Sequence, residues 1–116
     1  YLQHFPGIVI EGARQVGKGT LAQHIADPNA RVLTLDDEHV RAAAIADPAG
    51  FIAESSGRQL VIDEIQRLPS LTLAVKAAID RDRRPGRFIL TGSASLLRVK
   101  GTADSLAGRV GRLTLH

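Results

Sequence analysis

The sequence predicts an α/β domain of three layers, in which helices cover both faces of a five-stranded, mainly parallel sheet. Short apolar stretches alternate with helical stretches along the chain, and this alternation is typical of doubly wound sheets with right-handed crossovers. Aliphatic residues must fill the core, because 44% of the residues are hydrophobic but only 3% are aromatic. Parallel strands buried on both faces have this composition. Since 116 residues suit one such unit, we predict a single domain over 1–116.

The predicted strands are separated by helices or turns throughout the chain. Apolar runs place strands at 7–10, 31–35, 59–62, 87–90 and 112–115. Helices are predicted up to residue 26, at 38–46, at 49–54, from 69 to the basic turn at 83–86, and at 103–108. In parallel sheets ligands bind outside the carboxyl ends of the strands. We therefore expect Lys18, Asp37, Asp63 and Ser93 to converge at that edge.

A glycine-bounded loop follows the first predicted strand and leads into the first predicted helix. Gly12, Gly17 and Lys18 are in register with the P-loop pattern G-x-x-x-x-G-K-[ST]. Backbone N–H groups in such loops point at a polyphosphate, and the following helix presents its positive end to the same charge. The predicted nucleotide contacts are Gly12, Ala13, Arg14, Gln15, Val16, Gly17, Lys18, Gly19 and Thr20. The competing interpretation is a tight structural turn with an exposed lysine.

Position 19 departs from this pattern. The pattern has Ser or Thr there, whose hydroxyl binds Mg²⁺, whereas this chain has Gly19 followed by Thr20. Thr20 is a poor substitute as a metal ligand, since one step along a helix turns a side chain by about 100°. Glycine in the first turn also costs roughly 0.5–1 kcal/mol relative to alanine. We expect phosphate binding to persist, metal binding to weaken, and hydrolysis to be slow or absent.

Two acidic residues end the third predicted strand. Asp63 and Glu64 directly follow the apolar run 60–62, and the stretch looks like a Walker B motif. In that role Asp63 holds the water shell of Mg²⁺, and Glu64 orients and polarises the attacking water. General base catalysis of this kind contributes about 10²- to 10⁴-fold in rate. Taken without the P-loop, either acid would be interpreted as an ordinary carboxylate at the end of a strand.

Hydroxyl and guanidinium groups later in the chain are further candidates for catalysis. Thr91 and Ser93 follow the fourth predicted strand, where they either position the attacking water or the terminal phosphate, or cap the next helix. Arg109 precedes the fifth predicted strand. It either reaches a phosphate bound to a neighbouring subunit of a homo-oligomer, a contribution of roughly 10³- to 10⁵-fold in rate, or is a surface arginine.

Composition excludes several other kinds of site. The absence of cysteine excludes disulfides, thiolate metal sites and cysteine nucleophiles, and the four histidines are too dispersed to ligate a metal together. The net charge of +3 comes mainly from arginine, which is densest in residues 81–87. We interpret that cluster as the solvated end of a helix in preference to a nucleic-acid contact, because cations are favourable near a helix C-terminus.

The ends of the chain and its hydropathy indicate what kind of protein it comes from and where that protein is located. It begins without Met and ends within an apolar run, so we expect a fragment of a longer protein. No apolar run approaches the roughly 18 residues of a membrane span, and the first residues do not show the basic-then-apolar pattern of a leader. We expect a cytoplasmic protein without a membrane partner.

Five motifs in order resemble a family of bacterial and archaeal AAA-type ATPases. They are residues 12–18, Leu35-Asp36-Asp37, Val61-Ile62-Asp63-Glu64-Ile65-Gln66-Arg67, Ile89-Leu90-Thr91-Gly92-Ser93 and Ser105-Leu106-Ala107-Gly108-Arg109. The resemblance implies ATP and Mg²⁺ as ligands and a central P-loop strand that the fourth strand separates from the Walker B strand. It also implies a C-terminal effector domain of nuclease-like character, which these residues do not contain. It does not indicate a substrate, and the family's usual Ser or Thr is replaced by Gly19.

Three functions follow from these observations. The first is an ATP-binding, Mg²⁺-dependent AAA-type ATPase whose turnover Gly19 impairs. The second is a regulatory module that responds to nucleotide without hydrolysing it. A nucleic-acid-associated basic protein is the third, and it ranks lower because acids are interspersed among the arginines. A small-molecule kinase ranks lowest, since Asp63 and Glu64 suit water activation better than phosphate transfer.

Overall fold

A computed structural model describes residues 5–12, 18–54, 57–92 and 110–115 of the chain. Strands and helices alternate in the predicted manner. The strands are β1 (Gly7–Gly12), β2 (Arg31–Thr34), β3 (Leu60–Asp63), β4 (Phe88–Gly92) and β5 (Val110–Leu115). The helices are α1 (Lys18–Ile25), α2 (Glu38–Ala46), α3 (Pro48–Ala53) and α4 (Pro69–Arg81), with a 3₁₀ helix at Ile65–Arg67. The helix predicted at 103–108 lies outside the described residues.

The five strands form one parallel sheet in the order β2-β3-β4-β1-β5. The α/β fold with a five-stranded parallel sheet is confirmed. The strand that precedes the predicted phosphate loop, β1, lies inside the sheet between β4 and β5, whereas the central position that we expected for it belongs to β4. The order expected from the resemblance is also confirmed, since β4 separates β3 from β1. All strands therefore end at one edge of the sheet, where β1 leads toward α1 and β3 ends in Asp63.

Helices pack on both faces of the sheet, and each face has its own apolar cluster. On one face α3 and α4 cover Leu60, Ile62 and Leu90, together with Leu35. On the other face α1 contributes Ala22 to a smaller cluster with residues from β1, β3 and β4, namely Ile8, Ile10, Val61 and Ile89. Side chains alternate between the two faces along a strand. Asp63 and Thr91, each two residues beyond a member of the smaller cluster, therefore lie on the α1 face.

The observed strands extend beyond the apolar runs that predicted them. β4 continues through Thr91 to Gly92, and β3 includes Asp63, whereas the sequence placed their ends at residues 90 and 62. A ladder of backbone hydrogen bonds does not require apolar side chains, so it continues into the polar residues at the carboxyl edge. The extension places Asp63 of β3 beside Thr91 of β4 at the edge where the candidate site lies.

Local capping explains the boundary between α2 and α3. The Asp47 carboxylate accepts a hydrogen bond from the Gly50 N–H at 3.1 Å, and Pro48 occupies the first turn of α3. Proline is tolerated at that position because its missing N–H would have no partner within the helix. Within the described residues, no helix is both long and apolar enough to cross a membrane.

Candidate functional site

The candidate site lies at the carboxyl edge of the sheet. β1 ends at Gly12 and α1 begins at Lys18, so the predicted phosphate loop joins a strand to the N-terminus of a helix. This is the arrangement in which backbone N–H groups and the helix dipole favour an anion. The backbones of Lys18, Gly19 and Thr20 form the first turn of α1, and the Thr20 side chain is exposed. Of the predicted site residues, Ala13, Arg14, Gln15, Val16, Gly17, Ser93 and Arg109 lie outside the described residues.

The Asp63 carboxylate accepts a hydrogen bond on each of its oxygens. Oδ2 accepts from the Thr34 hydroxyl at 3.2 Å, and Oδ1 accepts a short hydrogen bond from the Thr91 hydroxyl. The two donors come from β2 and β4, the strands on either side of β3. The carboxylate is therefore held between its neighbours at the edge where a ligand is expected.

Thr91 has a role that the sequence did not predict. We expected its hydroxyl either to contact water or phosphate, or to cap a helix. In the structure Thr91 is fully buried, and its oxygen accepts the N–H of Glu64 at 3.1 Å while its hydroxyl donates to Asp63. The Thr91 side chain therefore holds both Asp63 and Glu64. It can do so because β4 extends beyond its apolar run and includes Thr91.

Glu64 adopts a backbone conformation that is rare for its residue type. Its φ of 60° and ψ of 47° are in the left-handed region, and no other non-glycine among the described residues has a positive φ. This conformation costs a residue with a side chain about 1–2 kcal/mol. The hydrogen bond to Thr91 and the burial of the next residue, Ile65, hold it in place. Strained residues of this kind cluster at functional sites.

Gln66 contacts the Glu64 side chain directly. Its amide Nε2 donates to Glu64 Oε2 at 2.5 Å, which restricts the carboxylate and leaves the other oxygen, Oε1, able to accept a proton. Both residues are half-buried. The resemblance included Gln66 without giving it a role. A glutamine two residues after the second acidic residue at the end of a strand is the signal that would have identified this contact.

Asp37 does not join the site, contrary to our expectation. Its carboxylate caps α2, accepting the N–H of His39 at 2.8 Å and that of Val40 at 3.3 Å. The preceding Asp36 instead forms a 2.9 Å ion pair with Arg67. Asp is a favoured N-cap residue because its oxygen accepts backbone donors that have no partner within the helix. The carboxyl end of β2 therefore contributes a hydroxyl to the site, not a carboxylate.

A shallow groove borders Asp63 between α1 and β2. Its volume is about 200 Å³, and its lining includes Ala22, Gln23, Val32, Thr34 and Asp63. Val32 is 46% exposed there, since β2 is the edge strand of the sheet. The groove makes the α1 face of Asp63 accessible from solvent.

The arginine-rich segment lies at the opposite edge of the sheet, and its described contacts are internal. Arg87 donates to the carbonyls of Ala78 at 2.7 Å and Asp82 at 2.9 Å, at the C-terminus of α4. Arg84 pairs with Asp82 at 2.7 Å. Burial lowers the pKa of the Arg87 guanidinium from its ordinary value, and the Asp82 carboxylate opposes that effect. These contacts favour our interpretation of the cluster as a helix end.

The described residues fit Mg²⁺ only as an ion that is shared with a nucleotide. They contain no group of three or more His, Cys, Asp and Glu side chains that would enclose a metal. Mg²⁺ does not need such an enclosure, because it keeps several waters and takes one or two carboxylates together with substrate phosphates. Asp63 suits this mode as an acceptor for metal-bound water.

Comparisons with known proteins agree with this fold. Residues 4–116 match the profile of the AAA domain family. Uncharacterised proteins of Mycobacterium bovis (Mb2031c) and Mycobacterium tuberculosis (Rv2008c) are each 39% identical to the chain over 110 residues. The match covers 94% of the chain and 24% of each relative, so the chain spans about a quarter of their length.

A solved structure supports the fold independently. The cytoplasmic domain of EssC superimposes with a TM-score of 0.54 and 12% sequence identity. The superposition covers 93% of this chain and 30% of that one. At this identity the likeness concerns the fold alone, whereas the family match spans nearly the whole sequence. The chain therefore belongs to the AAA domain family, as an ATPase-like nucleotide-binding module.

Proposed function

We propose that the chain binds ATP with Mg²⁺ at the carboxyl edge of its sheet and, within a larger protein, hydrolyses it slowly. The observation that carries this proposal is the placement of Asp63 and Glu64. Both lie at the end of β3, and hydrogen bonds from adjacent residues orient both, at the edge where β1 leads into α1. A structural turn with an exposed lysine would not require these acids to be held in this way.

Each residue has a defined task in this proposal. Backbone N–H groups of 12–20 bind the polyphosphate, and Lys18 neutralises its outer charge. Asp63 accepts hydrogen bonds from metal-bound water, and Glu64 accepts the proton of the attacking water. Mg²⁺, when bound, neutralises charge on the phosphates and orients them. Ser93 contacts the terminal phosphate or the attacking water, and Arg109 acts on a nucleotide of a neighbouring subunit in a homo-oligomer.

Gly19 limits the rate. A hydroxyl at this position would bind the metal directly, and the side chain of Thr20, one residue further along α1, is exposed. Metal affinity then depends on Asp63 and on the nucleotide itself. We infer that nucleotide binding is retained while turnover is weak.

Gly19 also favours a second function, a regulatory module that senses nucleotide without hydrolysing it. Such a module would control an effector domain, which in the resembled family follows the ATPase core. The two functions differ in the effect of Gly19→Thr. Restored turnover indicates an ATPase that Gly19 impairs, and unchanged turnover would show that the impairment hypothesis is wrong. In either case we expect a cytoplasmic location.

Nucleic-acid binding remains a less favoured prediction. Arg84 and Arg87 contact groups of their own domain, which reduces the charge available to a phosphate backbone. Binding through arginines would weaken steeply with salt. A filter-binding titration at two salt concentrations tests this, and retention that is insensitive to salt would remove the prediction.

Titration with a fluorescent ATP analogue tests the proposed function. The full-length, unsubstituted protein should bind the analogue. Lys18→Ala should weaken binding at least about tenfold, since the loop lysine contacts the outer phosphates. Lys76→Ala, which removes a lysine from α4 on the other side of the molecule, is the matched control and should leave the affinity unchanged. Equal affinity in all three proteins would contradict nucleotide binding at this loop.

A further inference from the structure

The hydroxyls of Thr34 and Thr91 share an arrangement that the proposed function does not by itself require. Each oxygen accepts one backbone N–H: Thr34 Oγ1 from Asp36 at 3.2 Å, and Thr91 Oγ1 from Glu64 at 3.1 Å. Each hydroxyl also lies within hydrogen-bond distance of an Asp63 oxygen. Two threonines on different strands therefore make the same pair of contacts on opposite sides of one carboxylate.

The backbone donors determine the direction of both hydroxyls. A threonine hydroxyl has one hydrogen to donate, and a backbone N–H can only donate. Because each oxygen already accepts an N–H, its own hydrogen is available for Asp63, and an ionised carboxylate can only accept. Both hydroxyls therefore donate toward Asp63 and cannot easily turn away from it.

This arrangement leaves Asp63 with free capacity toward solvent. An ionised carboxylate has about four lone-pair sites, and the two threonines occupy two of them, one on each oxygen. Two sites remain, and the groove between α1 and β2 gives them access to solvent. A carboxylate that is fixed in this way can accept hydrogen bonds from ordered water without first losing rotational freedom.

We propose that Thr34 and Thr91 are positioning residues that orient Asp63 toward the water shell of the nucleotide-bound metal. This inference rests on the proposed function, because it assigns a source of metal affinity within that site. In this chain the arrangement carries particular weight, since Gly19 provides no hydroxyl for the metal. Thr91 makes the larger contribution because it is fully buried and also holds Glu64.

Valine substitution removes each hydroxyl while it preserves the branched shape of the side chain. Thr72 is a matched control: it is 1% exposed in α4, and no partner for its hydroxyl lies among the described residues. Thr72→Val therefore removes a buried hydroxyl on the other face of the sheet without affecting Asp63. Thr34→Ser and Thr91→Ser restore the donors and serve as the conservative variants.

The experiment is a Mg²⁺ titration of the full-length protein in the presence of a fluorescent ATP analogue. The measured quantity is the Mg²⁺ concentration at which the metal-dependent increase in analogue binding is half-maximal. Thr91→Val should raise it by roughly tenfold, as is common when the hydrogen-bond partners of metal-site residues are removed. We expect a smaller rise, about threefold, for Thr34→Val, whose hydrogen bond is longer and on the edge strand. Both serine variants and Thr72→Val should behave as the unsubstituted protein does. Nucleotide affinity without metal should be the same in all of them.

The outcomes separate this inference from the proposed function. If the unsubstituted protein does not bind the analogue, the proposed function fails. If it binds with metal enhancement and Thr34→Val and Thr91→Val match Thr72→Val, the proposed function stands and the positioning role is wrong. Thermal unfolding of each variant identifies any loss of fold. If Thr91→Val does not fold, the comparison of Thr34→Val with Thr34→Ser and Thr72→Val still decides the question.

Discussion

The two edges of the sheet use their charged side chains in different ways. At the carboxyl edge Asp63 and Glu64 are fixed by hydrogen bonds, yet each keeps capacity to accept more. At the amino edge Arg87 and Arg84 direct their donors to the carbonyls and the carboxylate at the end of α4. The first arrangement suits a ligand, and the second stabilises a helix terminus. Local charge density is therefore a poor guide to a site, and the remaining hydrogen-bonding capacity is a better one.

The largest expected effect of a substitution concerns Glu64. Glu64→Gln should leave the affinity for ATP unchanged and lower steady-state turnover by about 10²- to 10⁴-fold, because an amide cannot accept the proton of the attacking water. Phosphate release measured at saturating ATP checks this. If turnover remains at the original level, the carboxyl edge is a binding site without a catalytic base.

Gly19→Thr tests whether the loop limits the site. The new hydroxyl should bind the metal directly and raise both Mg²⁺ affinity and turnover, by roughly tenfold. Measuring both in the same preparation is informative, because threonine also removes the flexibility of glycine from the first turn. Gly19→Ala is the control, because it removes the flexibility of glycine without adding a hydroxyl. It should leave Mg²⁺ affinity unaltered.

Arg87→Met should affect folding and not the site. The substitution removes a charged donor from two carbonyls at the end of α4, so the free energy of unfolding should fall by roughly 1–3 kcal/mol. Denaturant unfolding measures that loss. At a temperature where the variant is folded, its ATP affinity should equal that of the original protein. A large loss of ATP affinity would show that the two edges are not separate in function.

Asp37→Ala is expected to have the smallest effect. Loss of the cap on α2 should lower the free energy of unfolding by about 1 kcal/mol and leave nucleotide affinity unchanged. Asp63→Ala is the matched change at the end of the neighbouring strand, and it should weaken the metal dependence of binding. If Asp37→Ala alters metal dependence as strongly, our assignment of its carboxylate to the helix is wrong.

The fold followed from the sequence because its signals are local and repeated. Apolar runs and a glycine-bounded loop each constrain a short stretch, and their alternation with helical stretches predicted a parallel sheet. The order of the strands within that sheet followed from the family resemblance. The contacts around Asp63 did not follow, because Thr34 and Thr91 are separated from it by 29 and 28 residues and meet it only through strand register. Asp37 was misplaced for a related reason: a carboxylate after a strand is equally the first cap of the next helix.

Hydrogen–deuterium exchange with and without ATP and Mg²⁺ tests the central claim most directly, since it reports on both edges in one experiment. We predict added protection in peptides that cover 12–20 and 62–67, where the phosphate loop and the acidic residues lie, and none in peptides that cover 81–87. Protection confined to 81–87, or absent from both edges while ATP is bound, would contradict the assignment of the carboxyl edge as the nucleotide site.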